Sequence, residues 1–205
     1  WQKDVNITNA KSILNLKDES IVLLAGQTSK ITLIQKWDNP HLWSQEDPFL
    51  YVLKTEIKRA NENKPVGQAS RLSKEETIDT IANRFGFREF WIEGTNFILN
   101  GFKVHLYGTW NVDNGDFRLI FEAIRKSNMN AIREHTPAIW GPYVLDDSDE
   151  VGIMIFRNVG AGFSSPYNDR PEFWNNTEDI VRREIRRDRN HPSVVMWSMS
   201  NEWVQ

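Results

Sequence analysis

A glutamate near the end of the 205-residue sequence, Glu202, stands in a context that could support acid–base chemistry. It follows Asn201 and the mostly apolar run 194–199, which reads Val-Val-Met-Trp-Ser-Met. Such a run is typical of a parallel strand covered on both faces, and barrel strands carry catalytic side chains at their carboxyl ends. A carboxylic acid there, beside an asparagine able to bind a sugar hydroxyl, suits general acid–base catalysis at a glycosidic bond. An exposed glutamate just after a strand explains the same residues, so both interpretations stay open here.

Alternating strands and helices from about residue 96 onwards would position such a glutamate. The predicted strands are 104–110, 130–135, 153–156 and 194–199. A first helix starts near Asp116, because Phe117, Ile120, Phe121 and Ile124 recur at helical spacing behind it. The other predicted helices are 143–151, closed by Gly152, and 176–189, capped by Asn176 or Thr177. The pattern predicts a repeated βα unit.

The first 95 residues are predicted to be β structure. Tyr51, Leu53, Thr55 and Ile57 alternate with more polar neighbours, as in a half-buried strand. The predicted strands are 5–8, 12–16, 21–24, 29–37, 49–59, 66–72 and 84–92. Short strands separated by turn-prone residues, with no helical period, favour an immunoglobulin-like sandwich.

The predicted fold class is therefore multidomain β plus α/β. An immunoglobulin-like β-sandwich covers residues 1–95, and the first four strands of a truncated (β/α)8 TIM barrel cover residues 96–205. An Asn100-Gly101 hairpin is predicted at the junction. A complete barrel takes about 250 residues, so we expect half of one here. An open doubly wound sheet is the alternative, but its first βα turn would carry a glycine-rich loop that is missing here.

Composition excludes several classes of function. A net charge of −3 and the lack of an 18-residue apolar run predict neither nucleic acid nor a membrane as partner. With no cysteine, disulfides and thiolate metal sites are excluded, and His41 and His105 lack companions at metal-ligand spacing. Arginines 182–189 alternate with acidic residues, which favours a solvated helix face. Nine tryptophans are compatible with sugar stacking but more often indicate core packing.

Separated blocks of the sequence resemble glycoside hydrolase family 2, the β-galactosidase, β-glucuronidase and β-mannosidase family. They occur in the family's order and extend from residue 39 to residue 202. The blocks are Asn39-Pro40-His41-Leu42-Trp43-Ser44, Pro48-Phe49-Leu50-Tyr51, Phe85-Gly86-Phe87-Arg88, Phe97-Ile98-Leu99-Asn100-Gly101, Met129-Asn130-Ala131-Ile132-Arg133-Glu134-His135-Thr136-Pro137, Asp149-Glu150-Val151-Gly152 and the run from Arg187 to Glu202.

The resemblance implies a role for each matching residue. Glu202 matches the acid/base, and Asn201 matches the neighbour that contacts the sugar 2-hydroxyl. Arg133 and His135 match residues that line the terminal-sugar site. Arg133 could instead brace the barrel mouth through an ion pair, and His135 could be a core histidine. At the end of the first strand, Asn111 could line the same pocket, whereas Trp110 is expected mainly to pack.

The implied activity is retaining hydrolysis of terminal β-linked sugars, with the nucleophile on a seventh strand outside these 205 residues. β-Galactosides are expected first, with β-glucuronides and β-mannosides as further candidates. The implied partners are a carbohydrate and the remaining domains of a parent chain; oligomeric state and localisation stay open. No cofactor is predicted, although a magnesium or sodium ion is possible in a full enzyme. The alternative is an inactive carbohydrate-binding or structural protein that keeps the scaffold.

One stretch departs from the family pattern. Phe156-Arg157-Asn158 stands where many members carry acidic residues at the end of the third barrel strand. The departure removes a potential magnesium or supporting carboxylate and leaves the identity of the sugar open. The segment 157–175 that follows is predicted to be a long aromatic loop, which could form a sugar subsite or contact neighbouring domains.

Overall fold

The computed structural model describes residues 11–59, 76–110, 115–134, 142–162 and 169–201. Its strands are β1 (Tyr51–Arg59), β2 (Glu76–Phe85), β3 (Phe90–Glu93), β4 (Asn96–Leu99), β5 (Phe102–Val104), β6 (Gly108–Trp110), β7 (Ala131–Arg133), β8 (Met154–Gly162) and β9 (Val194–Asn201). Its helices are α1 (Phe117–Lys126), α2 (Pro142–Val151) and α3 (Pro171–Asp188). In the part of the chain that is described, no helix has the length and apolar character needed to cross a membrane.

A four-stranded parallel sheet holds β6, β7, β8 and β9 side by side in chain order. The helices α1, α2 and α3 lie between successive strands along the chain, as the repeated βα unit predicts. Neighbouring strands in chain order, joined by helical crossovers, are the arrangement of consecutive strands in a (β/α)8 barrel wall. The sheet is therefore compatible with part of a barrel.

The helix α1 begins where the sequence predicts. Asp116 is its N-cap, and the Asp116 carboxylate accepts a hydrogen bond from the Leu119 amide at 3.2 Å. Phe117, Phe121 and Ile124 are buried on one face of the helix, within the core cluster between helices and sheet. The predicted end of α2 is also confirmed, because Gly152 follows it with φ +82°.

The helix α3 begins earlier than predicted. It starts at Pro171, and Arg170 is its N-cap without a side-chain hydrogen bond, so Asn176 and Thr177 are interior residues rather than caps. Proline needs no amide partner and has its φ preset, which favours the first turn of a helix. The predicted loop 157–175 is wrong at both ends, because β8 continues to Gly162 and α3 has already begun at Pro171.

Only part of the predicted β structure of the first half is confirmed. The antiparallel pair of β1 and β2 corresponds to the predicted strand 49–59 and a partner. The strands predicted at 12–16, 21–24 and 29–37 are wrong, since this stretch has no regular hydrogen-bonding pattern. The alternation at Ile31 and Leu33 buries neither residue, and both are 44% exposed. An alternating pattern produces a strand only where a partner supplies hydrogen bonds. β1 has β2 as its partner, although Tyr51 is the only buried residue of β1 and the predicted half-burial of the strand is wrong.

The remaining predicted strands and the predicted hairpin agree with the structure to different degrees. The strands predicted at 5–8 and 66–72 lie outside the described residues. The one predicted at 84–92 is divided between the end of β2 and β3. The Asn100-Gly101 hairpin is confirmed between β4 and β5, whereas the strand predicted at 104–110 is interrupted between Val104 and Gly108.

Two buried clusters lie on opposite faces of the parallel sheet. The first packs Ile132, Ile155 and Val194 against α1 and α2. The second contains Ala131 and Met154, together with Trp43 and Leu99 from the segments that precede the sheet. Consecutive residues of a strand point to opposite faces, so β7 and β8 contribute alternate side chains to each cluster.

Candidate active site at the carboxyl ends of the parallel strands

Two of the predicted site residues lie at the carboxyl ends of parallel strands. Arg133 is the last residue of β7, and Asn201 is the last residue of β9. His135, Asn111 and Glu202 lie outside the described residues. Glu202 directly follows Asn201 in the sequence, and Asn111 directly follows the end of β6.

Arg133 belongs to the face of β7 that is turned away from the helices. It shares this face with Ala131, which packs in the second cluster with Trp43. In the sheet register Arg133 pairs with Trp110 of β6 and Phe156 of β8. The expectation that Trp110 mainly packs is wrong, because 60% of its surface is exposed. Trp110 ends the short strand β6, which lies at the edge of the described parallel sheet with β7 as its neighbour.

Next to Arg133, Glu134 belongs to the opposite, helix-facing side. Its side chain is 1% exposed and accepts a hydrogen bond from Nη1 of Arg157 on β8. Glu134 Oε2 also accepts a hydrogen bond from the Asn158 amide at 3.1 Å. Arg157, itself fully buried, donates from Nε to Asp188 Oδ2 at 3.1 Å, at the end of α3. The arginine in the unusual stretch thus bridges two acidic residues on neighbouring elements.

Burial raises the pKa of Glu134 to about 7, although the Arg157 charge and the hydrogen bonds from Arg157 and Asn158 lower it. The carboxylate of Glu184 on α3 adds a further, smaller increase. This acidic residue therefore changes its protonation state close to neutral pH. It has no free route to a substrate, since it lies within the layer between sheet and helix.

Sequence reasoning missed this buried network. Two surface pairs on α3 agree with the predicted solvated face: Arg182 with Glu178 and Arg183 with Asp179, each at 2.7 Å. For Glu184 and Asp188 the predicted solvated face is wrong, because both side chains are buried. A signal was present, since Asp188 is the last residue of α3, directly before the loop that leads into β9.

The opposite end of the sheet is held by a second buried group. His191 Nδ1 and Asp149 Oδ2 are 2.7 Å apart, and Asp149 Oδ1 accepts a hydrogen bond from the Ser193 amide at 3.0 Å. The Asp149 carbonyl accepts a hydrogen bond from Trp43 Nε1 at 2.8 Å. Through these contacts His191 holds the loop that leads into β9. The same contacts attach the Leu42-Trp43-Ser44 segment to α2.

Both members of this pair have shifted pKa values. Burial opposes protonation of His191, but the hydrogen bond and charge of Asp149 outweigh it and raise the His191 pKa above 6.5. Burial also raises the pKa of Asp149, against the hydrogen bonds from His191 and Ser193. The pair consequently retains its protons to higher pH in the folded chain.

Among the described residues, Asp146, Asp149 and His191 come close enough together to be considered as metal ligands. Their surroundings fit a metal ion poorly. Asp146 forms an ion pair with Arg84 Nη2 at 2.6 Å, so a guanidinium already supplies positive charge. Asp149 uses both carboxylate oxygens on His191 and Ser193. We therefore assign this cluster a structural role.

Comparison with known proteins agrees with the arrangement of elements. Residues 86–205 match the family model described as "Glycosyl hydrolases family 2, TIM barrel domain", and residues 3–88 match "Glycosyl hydrolases family 2". A Formosa agariphila protein with a beta-glucuronidase name is 31% identical over 97% of this chain and 24% of its own length. The chain thus spans about a quarter or less of the curated relatives it matches.

Solved structures give the same result. A beta-galacturonidase from Eisenbergiella tayi bound to galacturonate is 29% identical, covering 79% of this chain and 28% of that one, with a TM-score of 0.59. A Bifidobacterium dentium beta-glucuronidase complexed with coumarin-3-O-glucuronide is 28% identical, covering 78% of this chain and 26% of that one, with a TM-score of 0.60. With family models matching over both halves, the chain belongs to glycosyl hydrolases family 2.

Proposed function

We propose that this chain is part of a retaining β-glycosidase in which Glu202 is the general acid/base. The observation that carries the proposal is the end of β9. This parallel strand is buried at Val194 and partly buried from Val195 to Ser198. It ends at Asn201, at the carboxyl edge of a barrel-like sheet, and Glu202 is the next residue. Catalytic groups of (β/α)8 enzymes lie at this edge. We assign the immunoglobulin-like domain to residues 1–95 and the first half of the catalytic barrel to residues 96–205.

In the proposed mechanism, the Glu202 carboxylic acid donates its proton to the glycosidic oxygen while a second carboxylate attacks the anomeric carbon. The leaving alcohol departs and a covalent glycosyl–enzyme ester remains. Glu202, now ionised, accepts a proton from water as the water oxygen displaces the carboxylate. The second carboxylate belongs to a later part of the parent chain, so the 205 residues alone are inactive in this proposal.

The substrate-binding residues we propose are Asn201, Arg133, His135 and Asn111. For the sugar itself, the similarity to proteins named as uronidases favours a β-linked hexuronide over the β-galactoside expected from the sequence. Arg133 supplies a permanent positive charge at the carboxyl end of β7. A guanidinium is well suited to a substrate carboxylate, because it can donate two parallel hydrogen bonds.

The test is Glu202→Gln in the full-length protein, assayed on aryl β-glycosides with good and poor leaving groups. Removing a general acid costs on the order of 10²–10⁴ in rate, and we expect this loss mainly with poor leaving groups. Glu178→Gln is the matched control, since Glu178 lies in an exposed pair on α3. Unchanged rates of Glu202→Gln on both classes of substrate would remove the proposed role. Glucuronides, galacturonides and galactosides compared in parallel identify the sugar.

A further inference from the structure

Arg133 and Glu134 are adjacent in sequence but belong to opposite sides of β7. Arg133 shares the face of Ala131, and Glu134 shares the face of Ile132, which packs against the helices. Any contact that fixes Glu134 therefore also fixes the backbone from which the Arg133 side chain extends.

Three contacts to β8 hold Glu134. Its amide donates to the Phe156 carbonyl at 3.0 Å, and its carboxylate accepts from the Asn158 amide at 3.1 Å and from Arg157 Nη1. The backbone bond alone would leave the end of β7 free to twist. The two side-chain contacts lie one and two residues further along β8, so they clamp the strand end beyond its last ladder pair.

Arg157 is held in turn from the helix side. Its Nε donates to Asp188, and Arg187 donates to the same carboxylate from Nε at 2.5 Å and Nη2 at 2.7 Å. Glu184, also buried, completes the set of charged groups that α3 contributes around Glu134 and Arg157. Burying such ions costs desolvation that well-packed apolar side chains would avoid. Stability alone therefore gives little reason for an ion pair at this position.

We propose that Glu134 and Arg157 are positioning residues that fix the end of β7 so that Arg133 meets the substrate sugar in one orientation. The inference rests on the proposed glycosidase function. Neither residue touches the sugar; both act through the backbone of β7.

The variants are made in the full-length protein. Glu134→Gln removes the charge and keeps the side-chain shape, Arg157→Lys keeps the charge and loses the bridging geometry, and the Glu134→Gln/Arg157→Met double variant leaves neither charge unpaired. The matched control is the exposed pair of α3, changed as Glu178→Gln/Arg182→Met. Kinetics are measured about one unit above the Glu134 pKa of about 7, where the wild-type carboxylate is ionised.

We expect KM for the best aryl β-glycoside to rise roughly ten- to hundredfold in Glu134→Gln, since a small misplacement of a binding group has effects of this size. Arg157→Lys should raise KM less than Glu134→Gln does, because it keeps a positive charge beside Glu134. In both variants kcat should change far less than KM. The double variant should fold, because it leaves neither charge unpaired, but its KM should stay raised. One unit below the Glu134 pKa the difference from wild type should shrink, because the wild-type carboxyl is then protonated. The surface control should match wild type.

Hydrogen exchange provides a second measurement that does not require turnover. The amides of Glu134 and Asn158 should exchange faster in Glu134→Gln, and the Kd for galacturonate or glucuronate should rise with KM. Folded variants with unchanged KM and Kd would overturn the proposal, whatever their stability or exchange. If the wild type binds a sugar but hydrolyses no glycoside, the proposed glycosidase function is wrong, and the comparison of Kd values still tests the positioning role. If the wild type binds no sugar, the glycosidase function and the positioning role are both wrong.

Discussion

The substitution Gly152→Ala tests how tightly the barrel-like part is joined to the preceding segment. Gly152 ends α2 with φ +82°, and a Cβ built on it would lie inside van der Waals contact of the Gln45 carbonyl oxygen. The same Cβ would lie 3.1 Å from the Gln45 carbonyl carbon and 2.7 Å from Arg125 Nη1. The arginine side chain can move away, but the backbone of Gln45 can do so only if its own segment shifts.

The expected cost has two parts. An alanine in the left-handed region costs about 1–2 kcal/mol. Forcing a methyl group against fixed backbone costs a further 1–3 kcal/mol or so, as in other overpacked sites. The total is roughly 2–5 kcal/mol of unfolding free energy. Gly94→Ala is the control, because Gly94 has φ +59° but no atom within 4 Å of the added Cβ. This variant should show only the cost of placing alanine in the left-handed region.

The assay is urea unfolding of the full-length protein and both variants, followed by tryptophan fluorescence. Trp43 is buried beside this junction and reports on it. We expect Gly152→Ala to be less stable than Gly94→Ala by the overpacking contribution. Equal losses for the two variants would refute the reasoning, because they would show that the Gln45 segment yields without cost.

Further predictions concern the buried contacts at the same end of the sheet. Trp43→Phe should lower the unfolding free energy by about 1–3 kcal/mol, because the Asp149 carbonyl loses its buried donor; denaturation measures it. Since the folded pKa of His191 is raised, its contribution is present below pH 6.5 and lost as pH rises through the folded value. In Asp149→Asn, only the smaller effects of the Asp146 and Asp188 charges still oppose burial, so the dependence of unfolding free energy on His191 protonation should become weaker. Ser148→Ala should cost about 1 kcal/mol, since its hydroxyl lies 2.8 Å from that of Ser193. Adding Ser193→Ala should cost more, because the Ser193 side chain also forms a hydrogen bond with Asp149; a double-mutant cycle checks this.

Local signals account for what the sequence predicts well. Asp116 identifies the start of α1, because its side chain caps a helix only a few atoms away. Gly152 identifies the end of α2 for a similarly local reason, the left-handed backbone that follows the last turn. The parallel strands follow from the alternation of strand and helix along the chain.

Non-local contacts account for what it predicts poorly. Ile31 and Leu33 alternate as in a strand, yet strand formation depends on partners that their own sequence does not specify. Glu134 and Asp188 look like surface acids in sequence. Their burial depends on Arg157, which reaches both from another strand. No periodicity within a single segment contains that information.

In the enzyme we propose, the two ends of the parallel sheet have different roles, one in stability and the other in substrate binding. At the amino end, Trp43, Asp149 and His191 join a helix, a loop and the preceding segment through contacts that leave no access for a sugar. At the carboxyl end, Arg133 is directed away from the helices while Glu134 is fixed behind it. Substitutions at the first end should therefore change unfolding free energy with little effect on KM in folded protein. The Glu134→Gln/Arg157→Met double variant should raise KM with little change in unfolding free energy. It leaves neither charge of the pair unpaired, but it loses the contacts that hold the end of β7.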